Sequence, residues 1–336
     1  MNPVNPSRRV FLRSATMAAV ALSLPLMGRA GRTAQVIEPK PMLPNRNAGF
    51  YRFKLGEFEM VSISDGILTV PAKVFAGNAT PEQLAATLNE GFESETLTPD
   101  CNVLYVNTGQ NRVIIDTGSG SSMGTTAGKL LENLQAAKIS PSDIDSVILT
   151  HAHGDHVGGL LDASGQQVFA NATFYVSRQE HDFWMQPQVT LPKIGIDATA
   201  QQGMISAAQK GLGGIQNRLT LVDVGQEILP GLTAIEAFGH TPGQIAIRIV
   251  SAGQSLTHTA DVVHTRHINL WHPDWQPIFD ADPDLAVSTR QRILQKIAAE
   301  RELMYAYHFP YPGFGHISPR QGGGFTWEPV SWQFEA

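Results

Sequence analysis

Short runs of alternating apolar and polar residues, broken by glycine and proline, mark this chain from residue 53 onward. Residues 53–63 alternate loosely and stop at Asp65-Gly66, which reads as a turn. Residues 102–107 and 112–116 read as a hairpin around Thr108-Gly109-Gln110-Asn111, and Asp116-Thr117-Gly118-Ser119-Gly120 as the flexible turn that follows. Further strands are predicted at 146–150, 174–176, 219–222 and 232–238. A second hairpin is predicted at 244–250 and 255–259 through Ala252-Gly253, and a last strand at 303–307. Helical spacing marks 81–88, capped by Thr80, and 128–137, with Leu130, Leu131 and Leu134 expected on one face. The longest helix is predicted at 283–301, with Leu285, Ile293, Leu294 and Ile297 apolar. A turn or short helix is expected at 140–143 and a polar helix from near Arg178. Residues 180–218 carry no strand periodicity and read as an insertion serving as a lid or dimer contact. Strands and helices recur in both halves with no low-complexity linker, which predicts one α/β domain.

The N-terminus and the charge balance narrow the partner classes. Ser7-Arg8-Arg9-Val10-Phe11-Leu12-Arg13 precedes an apolar stretch to Met27 and then Gly28-Arg29-Ala30, the layout of an export signal. Its paired arginines resemble a twin-arginine motif. Residues 1–30 are therefore expected to be a signal routing the chain to the periplasm, 31–47 an extended leader with Pro39, Pro41 and Pro44, and 48–336 a single folded domain. The apolar stretch is too short to remain as a membrane anchor. Four of the 24 basic residues lie in those first thirty, so the mature chain carries 20 against 30 acidic residues, a net charge of −10. No basic block stands out, which argues against a nucleic-acid partner. The single cysteine, Cys101, excludes an internal disulfide and a thiolate-rich metal site, and reads as a small buried apolar residue.

The candidate chemistry is concentrated in His151-Ala152-His153-Gly154-Asp155-His156, which follows the apolar run Val147-Ile148-Leu149. Three imidazoles and a carboxylate delivered by a strand into a glycine-containing turn suit zinc, manganese or iron. Three more ligand-type residues follow predicted strands: His240 in Gly239-His240-Thr241-Pro242-Gly243, Asp261 and His308. Each alone is weak, since a lone histidine or aspartate at a strand end usually caps or hydrogen-bonds. Together they repeat one geometry of strand, ligand and loop, which predicts a metal site.

These motifs resemble the metallo-β-lactamase superfamily, as does Asp116-Thr117-Gly118 upstream, and the resemblance spans about 53 to 316. Tyr51-Arg52, Ser64-Asp65-Gly66, Asp182-Phe183-Trp184 and the run from His308 through Pro310, Pro312 and Phe314 to His316 look most like its methyl parathion hydrolase and lactonase branch. The resemblance implies a four-layer αβ/βα sandwich with two divalent cations at one edge, zinc ahead of manganese, iron or cobalt. It implies that His151, His153 and His240 hold one cation and Asp155, His156 and His308 the other, with Asp261 bridging. A hydroxide shared by the cations would be the nucleophile, and Asp155 or Asp261 would pass a proton to the leaving oxygen.

The resemblance also places Met123, Phe183, Trp184, His264 and Phe279 in the substrate pocket. Methyl parathion hydrolase has leucine where this chain has His264 and Phe279, and phenylalanine at Met123. The expected function is therefore hydrolysis of lactones or aryl esters, with organophosphate triesters as a side activity. Alternatives are an efficient phosphotriesterase, a thioesterase of the glyoxalase II kind, and an exported metal-binding protein without catalysis. The branch further implies a homodimer through residues 180–218, and His316 is expected to orient the loop after His308.

Overall fold

The computed structural model describes residues 47–334. Residues 1–46, with the expected signal and nearly all of the leader, lie outside the described residues. Sixteen strands and six α-helices follow in chain order. The first sheet contains β1 (Phe50–Leu55), β2 (Phe58–Ile67), β5 (Asp100–Asn107), β6 (Arg112–Ile115), β7 (Ser146–Ile148), β8 (Thr173–Ser177) and β9 (Leu219–Val222), side by side in that order. The second contains β10 (Glu227–Leu229), β11 (Leu232–Glu236), β12 (Ile245–Ser251), β13 (Gln254–His258), β14 (Leu303–Tyr305), β15 (Phe314–Pro319) and β16 (Phe325–Pro329). Between β2 and β5 lie a small ribbon of β3 (Val70–Pro71) with β4 (Thr96–Leu97), and helix α1 (Pro81–Glu90).

Strand alternation assigns the layers. On β6, Val113 and Ile115 pack into one apolar cluster with Ile247, Ile249 and Tyr305 of the second sheet, whereas Ile114 points the opposite way. That opposite face is covered by α2 (Leu130–Ala136), α4 (Arg178–Trp184) and α5 (Ala198–Gly213), which contribute Leu134, Trp184 and Leu212. The outer face of the second sheet, through Ala246, Met304 and Ala306, packs on Ile293, Leu294 and Ile297 of α6 (Pro283–Glu300). The order helix, sheet, sheet, helix is the expected four-layer sandwich. Burial on both faces explains why central strands such as β6 and β7 read as apolar runs.

Several local expectations change. The loose alternation at 53–63 is the β1–β2 hairpin, which turns at Gly56-Glu57. Asp65-Gly66 is no turn but the end of β2, where the register with β5 slips and Asp65 is fully buried. Leu131 and Leu285 are exposed; the packed face of α2 uses Asn133 instead, since residue 131 lies about 100° around the helix from 130. Residues 303–307 do not form the last strand, because β15 and β16 follow and complete the sheet beyond β14.

Candidate metal centre

All the strand-end histidines and aspartates come out at one edge of the two sheets. β7 runs into His151, and its continuation forms the single-turn helix α3 (Gly154–Val157) that carries Asp155 and His156. β13 and β14 are parallel, with His258 paired to Tyr305, and Asp261 and His308 each lie three residues beyond that pair. His240 sits in the loop from β11 to β12. Two backbone bonds join the sheets at this edge, Ile245 N to Thr150 O at 2.9 Å and Asn102 N to Tyr307 O at 2.8 Å.

The expected ligands fall into two sets, each with ligand atoms within 4.8 Å of one another: His151, His153 and His240; and Asp155, His156, Asp261 and His308; by the same measure His264 forms a third, overlapping group with His240 and Asp261. The Asp261 carboxylate lies between the imidazoles, 3.2 Å from His156 Nε2, 3.3 Å from His308 Nε2, 3.4 Å from His240 Nε2 and 3.8 Å from His151 Nε2. His151 Nε2, His156 Nε2 and Asp261 Oδ1 are buried without a hydrogen-bond partner. Buried polar atoms without partners are costly unless a ligand satisfies them. A nitrogen and oxygen donor set of this kind fits divalent cations of the zinc type.

The outward-facing nitrogens explain why these imidazoles point inward. His156 Nδ1 donates to Asp116 Oδ2 at 2.8 Å, His240 Nδ1 to Asp280 Oδ1 at 2.8 Å, and His308 Nδ1 to the Asp100 carbonyl at 2.8 Å. His151 Nδ1 lies 3.1 Å from Thr150 Oγ1, whose hydroxyl donates to Asp116. Such outer partners put the proton on Nδ1 and leave Nε2 as the ligand atom. Asp116 holds its place with φ of +65°, accepting from the Thr150 N–H as well. Arg290 of α6, fully buried, lies 3.5 Å from Asp280 and donates to the carbonyls of Val262, Pro273 and Trp275.

Glu180, on α4 and fully buried, clamps both ligand loops. Its Oε1 accepts from Ala152 N at 2.9 Å, between His151 and His153, and from Trp184 Nε1 at 2.7 Å. Its Oε2 accepts from Thr241 Oγ1 at 2.6 Å and Gly243 N at 2.9 Å, just after His240. Asp65 does the same for the turn after β6, accepting from the N–H groups of Ser119, Gly128 and Leu130. These bonds tie that segment to the end of β2. Of these holding groups only Asp116 is marked in the sequence, as the polar residue ending an apolar strand. Glu180, Asp280 and Asp65 act on segments 28 to 65 residues away, beyond the reach of periodicity.

Protonation divides the two sets. Burial, followed by repulsion from neighbouring imidazoles, lowers His153 to about 3, and burial lowers His240 to about 4 despite the Asp261 charge. His156 is raised to about 10: burial opposes the charged form, but Asp261, Asp155 and Asp116 outweigh it. His308 is likewise raised against burial by Asp261.

A cavity of about 460 Å³ opens beside both sets, a size suited to a small organic molecule. Met123, His264 and Phe279 line it, together with the apolar residues Leu68, Val70 and Phe75. Phe183 and Trp184 do not. Trp184 is fully buried in the core with its indole committed to Glu180, and Phe183 packs against it at 5.0 Å. Trp184 is a member of the apolar cluster under the first sheet and Phe183 packs on that cluster half-buried, so both belong to the core instead of the pocket. His264 is nearly fully buried against Phe75 and Phe279. His316 lies exposed on β15 opposite Glu328, so the Asp100 carbonyl, and not His316, orients His308. Cys101 is buried, as expected.

Comparison with known proteins agrees with this geometry. A family profile described as Metallo-beta-lactamase superfamily matches residues 98–308. A solved structure of AidC, a dizinc quorum-quenching lactonase in complex with a product N-hexanoyl-L-homoserine, is 32% identical, with a TM-score of 0.81 over 85% of this chain and 98% of that one. The lactamase-like protein aptB of Emericella nidulans is 32% identical over 109 residues, 32% of this chain and 29% of its own length. An N-acyl homoserine lactonase of Bacillus thuringiensis is 20% identical over 185 residues, 55% of this chain and 63% of its own. The chain thus spans less than two thirds of the length of each of these two curated relatives.

Proposed function

The chain belongs to the metallo-beta-lactamase superfamily, and from that membership we propose that it is a dinuclear metal-dependent hydrolase of lactones, with aryl esters as further substrates and organophosphate triesters as a side activity. The observation that carries this reading is the meeting of seven ligand-type side chains, drawn from four stretches of chain, in two adjoining sets beside one cavity. His151, His153 and His240 would hold one cation, Asp155, His156 and His308 the other, and Asp261, central among the imidazoles, both. Two bound cations supply Lewis acidity toward a carbonyl or phosphoryl oxygen and a pKa for water lowered toward ~7. Zinc is the preferred occupant, supported by the dizinc relative.

The chain's own groups do the rest. Asp116, Asp280 and the Asp100 carbonyl fix the imidazole tautomers, so the ligands are set before substrate enters. Asp155 and Asp261 are carboxylates held ionised by His156 and His308 against their burial, and either can carry a proton toward a leaving oxygen. Phe75 and Phe279 keep the cavity floor apolar, while His264 offers a polar edge to an ester carbonyl. The same polar edge favours a lactone or carboxylic ester over a bulky triester.

The test is a hydrolysis panel on metal-quantified protein, containing an acyl-homoserine lactone, dihydrocoumarin, phenyl acetate, a paraoxon-type triester and a glutathione thioester. Turnover of lactones ahead of the triester and thioester is expected. Preference for the triester or thioester would replace the reading by one of those chemistries. We further propose export to the periplasm and a homodimer formed through residues 180–218. Fractionation of cells and light scattering of the purified protein test them.

A further inference from the structure

Helix α5 has a face left unpacked over its first half. Ala200, Gly203, Met204 and Ala207 follow one another at helical spacing and all line the cavity beside the metal-binding residues. Farther along the same face, Gly211 lies against Val157 of α3 and Leu160, so this end of the helix is anchored beside the short helix that bears Asp155 and His156. Ala207 stands next to that turn, since a methyl group on Gly154 would come within 3.8 Å of it. Gly203, one turn back, has open space where a side chain would project. Ala200 is about 10 Å from Ala207 along the helix axis. Leu68, Val70 and Met123 add further apolar lining to the same cavity. At the inner end His264, 1% exposed and with Nε2 3.3 Å from the Asp261 carboxylate, joins the metal-binding side chains in making that end of the cavity polar.

We propose that α5 is a ruler for the apolar chain of an acylated substrate, with Ala207, Gly203 and Ala200 marking successive stops outward from the metal-binding residues. The small side chains at these positions keep the channel open, and each would close it at a different depth if enlarged. The ligand is an ester, lactone or carboxylate carrying an unbranched alkyl chain, its polar end toward His264 and the metal ligands. The reaction rests on the hydrolase reading above, whereas chain binding does not require turnover.

The experiment compares wild type with Ala207→Leu, Gly203→Leu and Ala200→Leu, all zinc-loaded. Leucine and alanine are both strong helix formers and leucine exceeds glycine, so the helix is expected to persist, and circular dichroism with thermal melting checks this. Affinity is measured by calorimetry for n-alkanoates from butanoate to dodecanoate, and kcat/KM for N-acyl homoserine lactones with the same chains. In wild type, affinity rises about three- to fourfold per methylene until the channel is filled. Each leucine then shortens the preferred chain in the order Ala207→Leu, Gly203→Leu, Ala200→Leu, and lowers the long-to-short selectivity ratio by at least about tenfold at its stop. Wild-type affinity independent of chain length, or three variants with the wild-type profile, overturns the ruler. Graded alkanoate binding without lactone turnover supports the ruler and rejects the lactonase reading, so the two failures are distinguishable.

Discussion

Glu180 uses each carboxylate oxygen on a different ligand loop, so a single atom change can separate the two. In Glu180→Gln the amide keeps the shape but accepts at only one end, and one loop loses its hold. Zinc affinity is expected to fall about 10- to 100-fold, measured by chelator competition, since outer partners of metal ligands carry effects of that size. An unchanged affinity would reduce Glu180 to core packing. Asp100 provides a pH test. Burial raises its carboxyl to about 6, above the ordinary 3.8, against a hydrogen bond from Tyr311 N. The folded state therefore holds this proton more tightly than the unfolded one, and the associated stability, full below about pH 4, is lost as pH rises toward 6. In metal-free protein, Asp100→Asn should be more stable than wild type above about pH 6.5, by up to about 3 kcal/mol, and lose that advantage near pH 4. Urea midpoints at the two pH values measure the difference. The ligand-type residues themselves were legible in the sequence because each follows an apolar strand; their outer partners were not, because a carboxylate such as Asp280 gives no local sign that it faces an imidazole 40 residues away.

At the scale of elements, strands were read more surely than the side-chain directions on helices. Thr80 and Gln83 form the capping box that starts α1, and Ala252 and Gly253, both with positive φ, turn the β12–β13 hairpin, so these boundaries are written in local chemistry. Aromatic Phe183 and Trp184 carry no local mark that separates core from pocket, and the difference is made by Glu180, which captures the indole. Asp65-Gly66 has a turn's composition yet ends a strand, because its carboxylate is used up by three N–H groups of another loop. The glycines of the metal loop are a packing matter. Gly159 lies so close to Thr117 that a Cβ would stand 2.0 Å from the Thr117 carbonyl oxygen. Gly159→Ala should therefore push the α3 loop off the Asp116 turn and destabilise the fold by about 2–4 kcal/mol, read from chemical denaturation. A cost below about 0.5 kcal/mol would show that the two loops can part without penalty.

Across the whole molecule, two sheets meet face to face and deliver ligands from β7, β11, β13 and β14 to one edge. The parallel pairing of β13 and β14 makes Asp261 and His308 neighbours although 47 positions separate them in sequence, a consequence of register that no local pattern displays. Buried histidines held protonated by Asp155 and Asp261 also give metal uptake a pH dependence. His156 and His308 must lose protons to bind a cation, so affinity at that set should rise with pH, accompanied by proton release measurable in weakly buffered solution. The most direct test of the dinuclear hydrolase is a zinc titration of chelator-treated protein, followed by lactone hydrolysis. Activity absent at the start and reaching its plateau at two zinc per chain is the expected result; full activity in the metal-free protein, or none at any zinc loading, would contradict it.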